Sequence, residues 1–316
     1  MSSEVEQLHF PLDDIPEMPE PQKGAPFRIH TILNPTNPVP LNGPSYILCG
    51  NALDILKLLP ANSIRCCVTS PPYWGLRDYG TPGQIGVEND LEEYIEALVA
   101  ILHEVKRVLT EDGTLWLNLG DAYTSGGRAY RAPDKKTDNG HVVRGLPFRP
   151  PTPAGLKPKD LIGIPWRVAF RLQEDGWYLR SDIIWYKPNA IPESVKDRPT
   201  LAHEYLFLLS KSERYYYDYY ALREATENGR GQRNKRTVWA INTQAFPEAH
   251  FATFPEKLVE PCIQAGSAVG DYILDPFFGS GTSGLVAARL LRSFVGIDIN
   301  PQYVTMACRR ITSSLS

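Results

Sequence analysis

Runs of apolar residues along this chain switch between two periods, and that switching predicts an alternating fold. "SYILCG" (45–50) and "SIRCCVTS" (63–70) are short, nearly continuous apolar runs of strand length, and "NALDILKLLP" (51–60) between them has helical spacing. In residues 90–110, Leu91, Ile95, Leu98, Leu102, Val105 and Leu109 form one stripe at three- and four-residue intervals, the pattern of an amphipathic helix. "GTLWLNLGD" (113–121) predicts the next strand. Periodicity then disappears over 122–160, which is rich in Gly, Pro and cations, and a loop of that length is usually functional. Order returns with a helix over 164–176 and strands over 178–188 and 203–212, and a second irregular stretch covers about 221–250. The chain closes on a helix (254–266), a strand (271–277), a glycine turn, a helix (283–291), a strand (293–299) and a helix (301–311). Strands alternating with helices predict an α/β protein with a mostly parallel central sheet flanked by helices.

Residues 1–43 lack this order. They are proline-rich and read as an extended arm ahead of one large domain over 44–316, into which 122–160 and about 221–250 are inserted. The N-terminus is acidic and unlike a signal peptide, and no apolar run reaches the roughly 18 residues of a membrane span, so a cytoplasmic location is expected. Five cysteines without a CxxC spacing predict buried thiols rather than disulfides or a metal site. Cys262 in particular reads as a core thiol following a helix, and Tyr215 to Tyr220 as strand packing.

The formal net charge of −3 hides two basic islands. Between Arg128 and Lys159 lie eight cations, Arg128 and Arg131 among them, against Asp134 and Asp138, a local excess of 8 − 2 = +6. Arg230, Arg233, Lys235 and Arg236 form the second, in "NGRGQRNKR" (228–236), with no acid. Such islands neutralise phosphates, and Arg reads guanine edges.

Two strand ends carry candidate chemistry. In "DYILDPFFGSGTSGLVAARLLRSFVGIDIN" (271–300), Gly279 and Gly281 permit a sharp turn and close approach to a ligand, and Asp298 ends the following strand, where a carboxylate accepts ribose hydroxyls. An acid before the turn, Asp275, would repel a pyrophosphate and suits a cationic group. S-adenosylmethionine, with its ammonium, sulfonium and ribose, fits that pattern better than a dinucleotide. Ser70-Pro71-Pro72-Tyr73 follows another strand. Prolines have no N–H, so this rigid turn presents carbonyl oxygens; Ser70 adds a hydroxyl acceptor and Tyr73 a flat face, with Trp74 next in the chain as a candidate second face. Together they describe a pocket for a planar ring bearing an amine. Ligands of open α/β sheets bind beyond the carboxyl ends of the strands, so both motifs can face one crevice.

These residues resemble the amino-group DNA methyltransferases that use S-adenosylmethionine. The family's tetrapeptide is [D/N/S]-P-P-[Y/F/W], here Ser70 to Tyr73, and its cofactor loop is D-P-F-x-G-S-G-T, here Asp275 to Thr282. With the tetrapeptide first and the loop near the C-terminus, the order matches the circularly permuted β class. "HFATFPEKLVEPCI" (250–263) is similar to the methionine-binding segment, while "DIIWYKPN" and "EYLFLLSKS" also fit. Gly50-Asn51 departs from the family's usual Gly-Asp.

The resemblance implies a Rossmann-like methyltransferase fold, with Ser70, Pro71, Pro72 and Tyr73 catalytic. It assigns Phe254, Lys257, Asp275, Pro276, Phe277, Gly279, Ser280, Gly281, Thr282 and Asp298 to the cofactor. Double-stranded DNA is the implied partner. Arg230, Arg233, Lys235 and Arg236 sit where the β class places target recognition, and Arg128 and Arg131 would line the other jaw of the cleft. A homodimer and a cognate restriction endonuclease are further partners that the resemblance admits. Serine in the first position of the tetrapeptide favours cytosine N4, and adenine N6 is the competing target. Rivals are a protein glutamine-amide methyltransferase, which has Asn for Ser and the reverse motif order, a nonenzymatic nucleic-acid-binding protein with a Rossmann-like domain, and an NAD-dependent dehydrogenase.

Overall fold

The computed structural model describes residues 29–125, 144–145, 150–226, 230–245, 252–253 and 255–315. Within them, nine strands form one sheet: β1 (His30–Leu33), β2 (Tyr46–Cys49), β3 (Ile64–Thr69), β4 (Leu109–Leu119), β5 (Tyr178–Tyr186), β6 (His203–Ser210), β7 (Val238–Ala240), β8 (Tyr272–Asp275) and β9 (Ser293–Asp298). Their order is β1-β2-β9-β8-β3-β4-β6-β5-β7. Only β6 runs antiparallel to its neighbours, β4 and β5. The fold is α/β with a mostly parallel sheet, as the alternating pattern predicts.

Six helices cover the sheet: α1 (Ala52–Leu58), α2 (Leu91–Val108), α3 (Ile164–Glu174), α4 (Glu256–Gly266), α5 (Thr282–Arg289) and α6 (Pro301–Leu315). The amphipathic stripe explains α2. Asp90 caps its first turn by accepting from the Glu92 amide at 2.7 Å, and Leu98, Leu102 and Val105 on its apolar face are fully buried. One core joins α1, α2 and α3 to the sheet; a second joins α4, α5 and α6 to the opposite face.

Four elements differ from the sequence reading. Val238–Ala240 lies in the stretch expected to be irregular, yet pairs with β5 in parallel as the far edge of the sheet. His30–Leu33 lies in the segment expected to be an arm, yet pairs with β2 in parallel, so the sheet begins before residue 44. Cys262 lies inside α4 rather than after it, and burial raises its thiol well above the ordinary range. Residues Tyr215–Tyr220 are not a strand; Tyr215 and Tyr217 pack on the second core while Tyr219 and Tyr220 stay exposed.

The sheet order positions the site. β3 and β8, about two hundred residues apart in sequence, are hydrogen-bonded neighbours, with Cys66 opposite Ile273 and Cys67 opposite Leu274. From β3 the chain passes to β4 on one side; from β8 it passes to β9 on the other. The order reverses there, and a crevice opens at such a switch point beyond the carboxyl ends of the strands.

Candidate active site

The crevice is a cavity of about 310 Å³. Ser70, Pro71, Pro72 and Tyr73 form one wall, and Pro276, Phe277, Gly279, Ser280, Thr282 and Asp298 form the other. The two sequence motifs therefore share one space.

Backbone geometry builds the second wall. After β8 the chain turns through the glycine loop into α5, and Gly281 caps that helix at φ +76°. A Cβ at Gly281 would lie 2.9 Å from the Ala307 Cβ of α6, so close helix packing and the left-handed backbone both require glycine there. Gly281 thus shapes the turn and does not line the cavity. Arg310 of α6 braces the loop by donating to the Ser280 carbonyl at 3.2 Å and to the Thr282 hydroxyl at 3.0 Å. Asp298, at the end of β9, accepts from the Gly279 amide at 2.7 Å and the Asn300 amide at 2.8 Å. Burial raises its carboxyl from the ordinary range to about 6. It remains on the cavity wall, beside Asn300 and Tyr303.

Asp275 is placed differently from the expectation that it faces a cationic ligand. It is 1% exposed and does not line the cavity. One oxygen accepts from the Thr69 hydroxyl at 2.7 Å and the Phe277 amide at 3.1 Å; the other accepts from the Ser283 hydroxyl at 2.6 Å. Thr69 immediately precedes Ser70, so Asp275 clasps the glycine loop to the tetrapeptide. Burial pushes its carboxyl up to about 6, against the pull of its donors.

The first wall is made from side chains. The Tyr94 hydroxyl donates to the Pro72 carbonyl at 2.9 Å, which fixes the double-proline turn from α2. Tyr73 lies so close to Gly120 that a Cβ there would meet its ring at 2.6 Å. Its hydroxyl donates to Glu204 Oε2 at 2.7 Å, and burial together with this carboxylate raises the phenol well above its ordinary range. Trp74 points elsewhere: it is buried and its indole N–H donates to the Glu88 carbonyl at 3.0 Å, so it is a core residue and not a second stacking face.

Several wall residues were not singled out in the sequence, among them Asn300 and Tyr303 beside Asp298 and three polar residues behind the tetrapeptide. Asn118 from β4, Lys187 after β5 and Glu204 in β6 converge behind the tetrapeptide. Lys187 and Glu204 form an ion pair, and the Lys187 ammonium lies 4.4 Å from the Trp185 ring centroid. Their one sequence signal is a charge at the end of each apolar strand, in "DIIWYK" and "EYLFLL". Such charges read equally well as solvated strand ends until the strands are paired.

The other expected residues lie elsewhere. Lys257 is exposed in the first turn of α4 and does not line the cavity, while Phe254 lies outside the described residues. Arg128 and Arg131 also lie outside them. The second basic island enters β7 from its N-terminal end, away from the carboxyl ends where the cavity opens. Glu224 pairs with Arg233 at 3.0 Å and with Arg236 at 3.3 Å, and the Lys235 ammonium lies 5.2 Å from the Trp239 ring centroid. Neither these residues nor Arg230 line the cavity.

Comparisons with known proteins agree with this fold. Among solved structures, the chain shares the fold of a PvuII DNA methyltransferase described as cytosine-N4-specific (TM-score 0.62, 23% identity, 86% of this chain and 92% of that one). It also shares the fold of TTHA0409 of Thermus thermophilus, whose description is "putative DNA modification methylase" complexed with S-adenosyl-L-methionine (TM-score 0.58, 23% identity, 86% of this chain and 94% of that one). In sequence it is 58% identical over 294 residues to the type II methyltransferase M.Cfr9I of Citrobacter freundii, covering 93% of this chain and 96% of that protein. It is 54% identical over 266 residues to the type II methyltransferase M.SmaI of Serratia marcescens, covering 84% and 90%. The model of the N6/N4 DNA methylases matches residues 64–309, the span that contains both walls of the cavity. The chain belongs to the N6/N4 DNA methylase family.

Proposed function

We propose that the chain transfers a methyl group from S-adenosylmethionine to the exocyclic N4 of a cytosine flipped out of duplex DNA. The observation that carries this reading is the meeting of Ser70-Pro71-Pro72-Tyr73 with the glycine loop in one cavity. The donor set fits the cofactor. Asp298 and Asn300 offer acceptors to a ribose, Tyr303 and Ile299 flank them with apolar surface, and Ser280 and Thr282 lie at the head of α5. When bound there, S-adenosylmethionine supplies an electrophilic methyl group on its sulfonium.

The lone pair of an exocyclic amine is delocalised into its ring and attacks poorly. The Ser70 hydroxyl and the Pro71 carbonyl accept the amine's two hydrogens and localise that lone pair on nitrogen. Pro71 suits this role, because the Tyr94 hydroxyl already takes the neighbouring Pro72 carbonyl. Tyr73 stacks on the base, which must leave the duplex to reach it. The walls contribute proximity and fixed dipoles, with no covalent intermediate. Double-stranded DNA is the partner, and the type II names of the relatives fit a cognate restriction endonuclease.

N6 of adenine is the second reading, since the family spans both amines. The serine at position 70 favours cytosine, as does the cytosine-N4-specific description of the PvuII enzyme. The test is mass spectrometry of nucleosides from DNA of varied sequence incubated with the protein and S-adenosylmethionine. N4-methylcytosine is expected. N6-methyladenine would overturn the base assignment alone, and no methylated base would overturn DNA methylation.

A further inference from the structure

Serine is an ambivalent choice for a group that must accept a hydrogen from an amine. A hydroxyl carries one proton and two lone pairs, and turned the wrong way it would donate to the nitrogen and occupy the lone pair that has to attack. The side chains behind Ser70 remove that freedom.

Asn118 is 1% exposed. Its amide nitrogen donates to Glu204 Oε2 at 3.1 Å and to the Tyr205 carbonyl at 3.1 Å. Both of its N–H groups are thereby used. Turned over, the amide would aim its oxygen at a carboxylate and a carbonyl and lose both bonds in a buried site. Its oxygen therefore stays toward Ser70, whose Oγ lies 3.1 Å away. An amide oxygen only accepts, so Ser70 has to donate. The Tyr73 hydroxyl lies 3.3 Å from the same oxygen but 2.7 Å from Glu204 Oε2, and its single proton goes to the carboxylate. The other oxygen of Glu204 is held by Lys187, so the carboxylate is anchored at both ends.

We infer that Asn118 and Glu204 are positioning residues that fix the Ser70 hydroxyl as a hydrogen-bond acceptor toward the substrate amine. Glu204 orients Asn118, Asn118 takes the Ser70 proton, and only the Ser70 lone pairs remain for the cavity. The inference rests on the amino-group reading of the site.

A double-mutant cycle tests it. Turnover on saturating DNA and S-adenosylmethionine affinity are measured for Ser70→Ala, Asn118→Leu and the double variant, beside the wild type. Asn118→Leu is expected to lower turnover about 10- to 100-fold while cofactor affinity stays within about threefold. In the Ser70→Ala background the same change is expected to cost less than about threefold, because the hydroxyl it orients is gone. Asn118→Asp keeps an oxygen toward Ser70 and a proton to share with Glu204, and is expected to recover at least about tenfold over Asn118→Leu. If Asn118→Leu does not fold, Glu204→Gln replaces it in the cycle. A glutamine gives its oxygen to Lys187 and one N–H each to the Asn118 oxygen and the Tyr73 hydroxyl oxygen, which turns the Asn118 amide over, so the loss should again depend on Ser70.

Losses that multiply across the cycle, or full turnover by Asn118→Leu, would overturn the inference. So would an Asn118→Asp variant no more active than Asn118→Leu. Wild-type transfer to DNA is measured first on the same preparation. Its absence overturns the amino-group reading and the inference with it, whereas an active wild type with multiplying losses overturns the inference alone.

Discussion

The two walls of the crevice are built by different means. The glycine-loop wall is largely backbone: two amides close on Asp298, a left-handed glycine starts α5, and Arg310 braces the turn. The tetrapeptide wall is completed by side chains from separate strands, with Asn118, Lys187 and Glu204 meeting behind Ser70 and Tyr73. Asp275 joins the walls and faces neither ligand space. On the proposed reading the duties are separate: the glycine-loop wall holds the nucleoside-bearing cofactor and the tetrapeptide wall polarises the amine.

Changes to the tetrapeptide should have the largest effect. Ser70→Ala and Tyr73→Ala are each expected to lower turnover on saturating DNA by roughly 10²- to 10³-fold, the range for losing one preorganised polar group. Radiolabelled methyl transfer measures this, and near wild-type turnover in either variant would remove that residue from the chemistry.

Asp298→Ala should act on the other duty. S-adenosylmethionine affinity is expected to fall about 10- to 100-fold, since a ribose loses a charged acceptor and the Gly279 amide loses its partner. The wild type should show a matching pH dependence. Asp298 titrates at about 6, so its charge is lost as pH falls through that value and affinity should weaken there. Calorimetric titrations at pH 5 and pH 8 check both, and an affinity that did not change with pH in this interval would exclude Asp298 from the ligand.

The clasp should appear in stability. Burial raises Asp275 from 3.8 to about 6, so the folded state binds its proton more tightly than the unfolded chain. The resulting cost of ionisation is absent below about pH 4 and complete above about pH 6, reaching about 3 kcal/mol. Stability should therefore fall with rising pH across this window, and Asp275→Asn should lose that component. Denaturant melts of both proteins at pH 4 and pH 7 provide the comparison; parallel pH dependences would contradict the assignment.

The basic island should give the smallest effect. It lies away from the cavity, and Glu224 already pairs with Arg233 and Arg236. If Arg230 and Lys235 meet DNA phosphates, changing each to Gln should lower the slope of log affinity against log salt by about 1 per contact. An unchanged slope removes the island from the DNA interface.

The same contrast explains what could be read in the sequence. The glycine-loop wall is continuous in sequence because its turn, helix start and terminal acid are local requirements, so Pro276 to Thr282 and Asp298 were legible as a string. The tetrapeptide was legible because two prolines at a strand end are unusual. Asn118, Lys187 and Glu204 were not, because each is one polar residue at the end of an apolar strand and gains meaning only from strand order. Asp275 shows the opposite limit: its place in the motif was clear, but its direction depends on Thr69 and Ser283, which only the folded sheet brings to it. The alternating architecture itself was legible from period changes, apart from the two edge strands: His30–Leu33 lies within a proline-rich stretch, and Val238–Ala240 within a stretch without periodicity.

The most direct test of separate duties is a calorimetric titration of Ser70→Ala with S-adenosylmethionine. Divided walls predict an affinity within about threefold of wild type in a variant that no longer methylates DNA. A loss of affinity as deep as the loss of turnover would contradict the division, and would mean that Ser70 holds the cofactor rather than the amine.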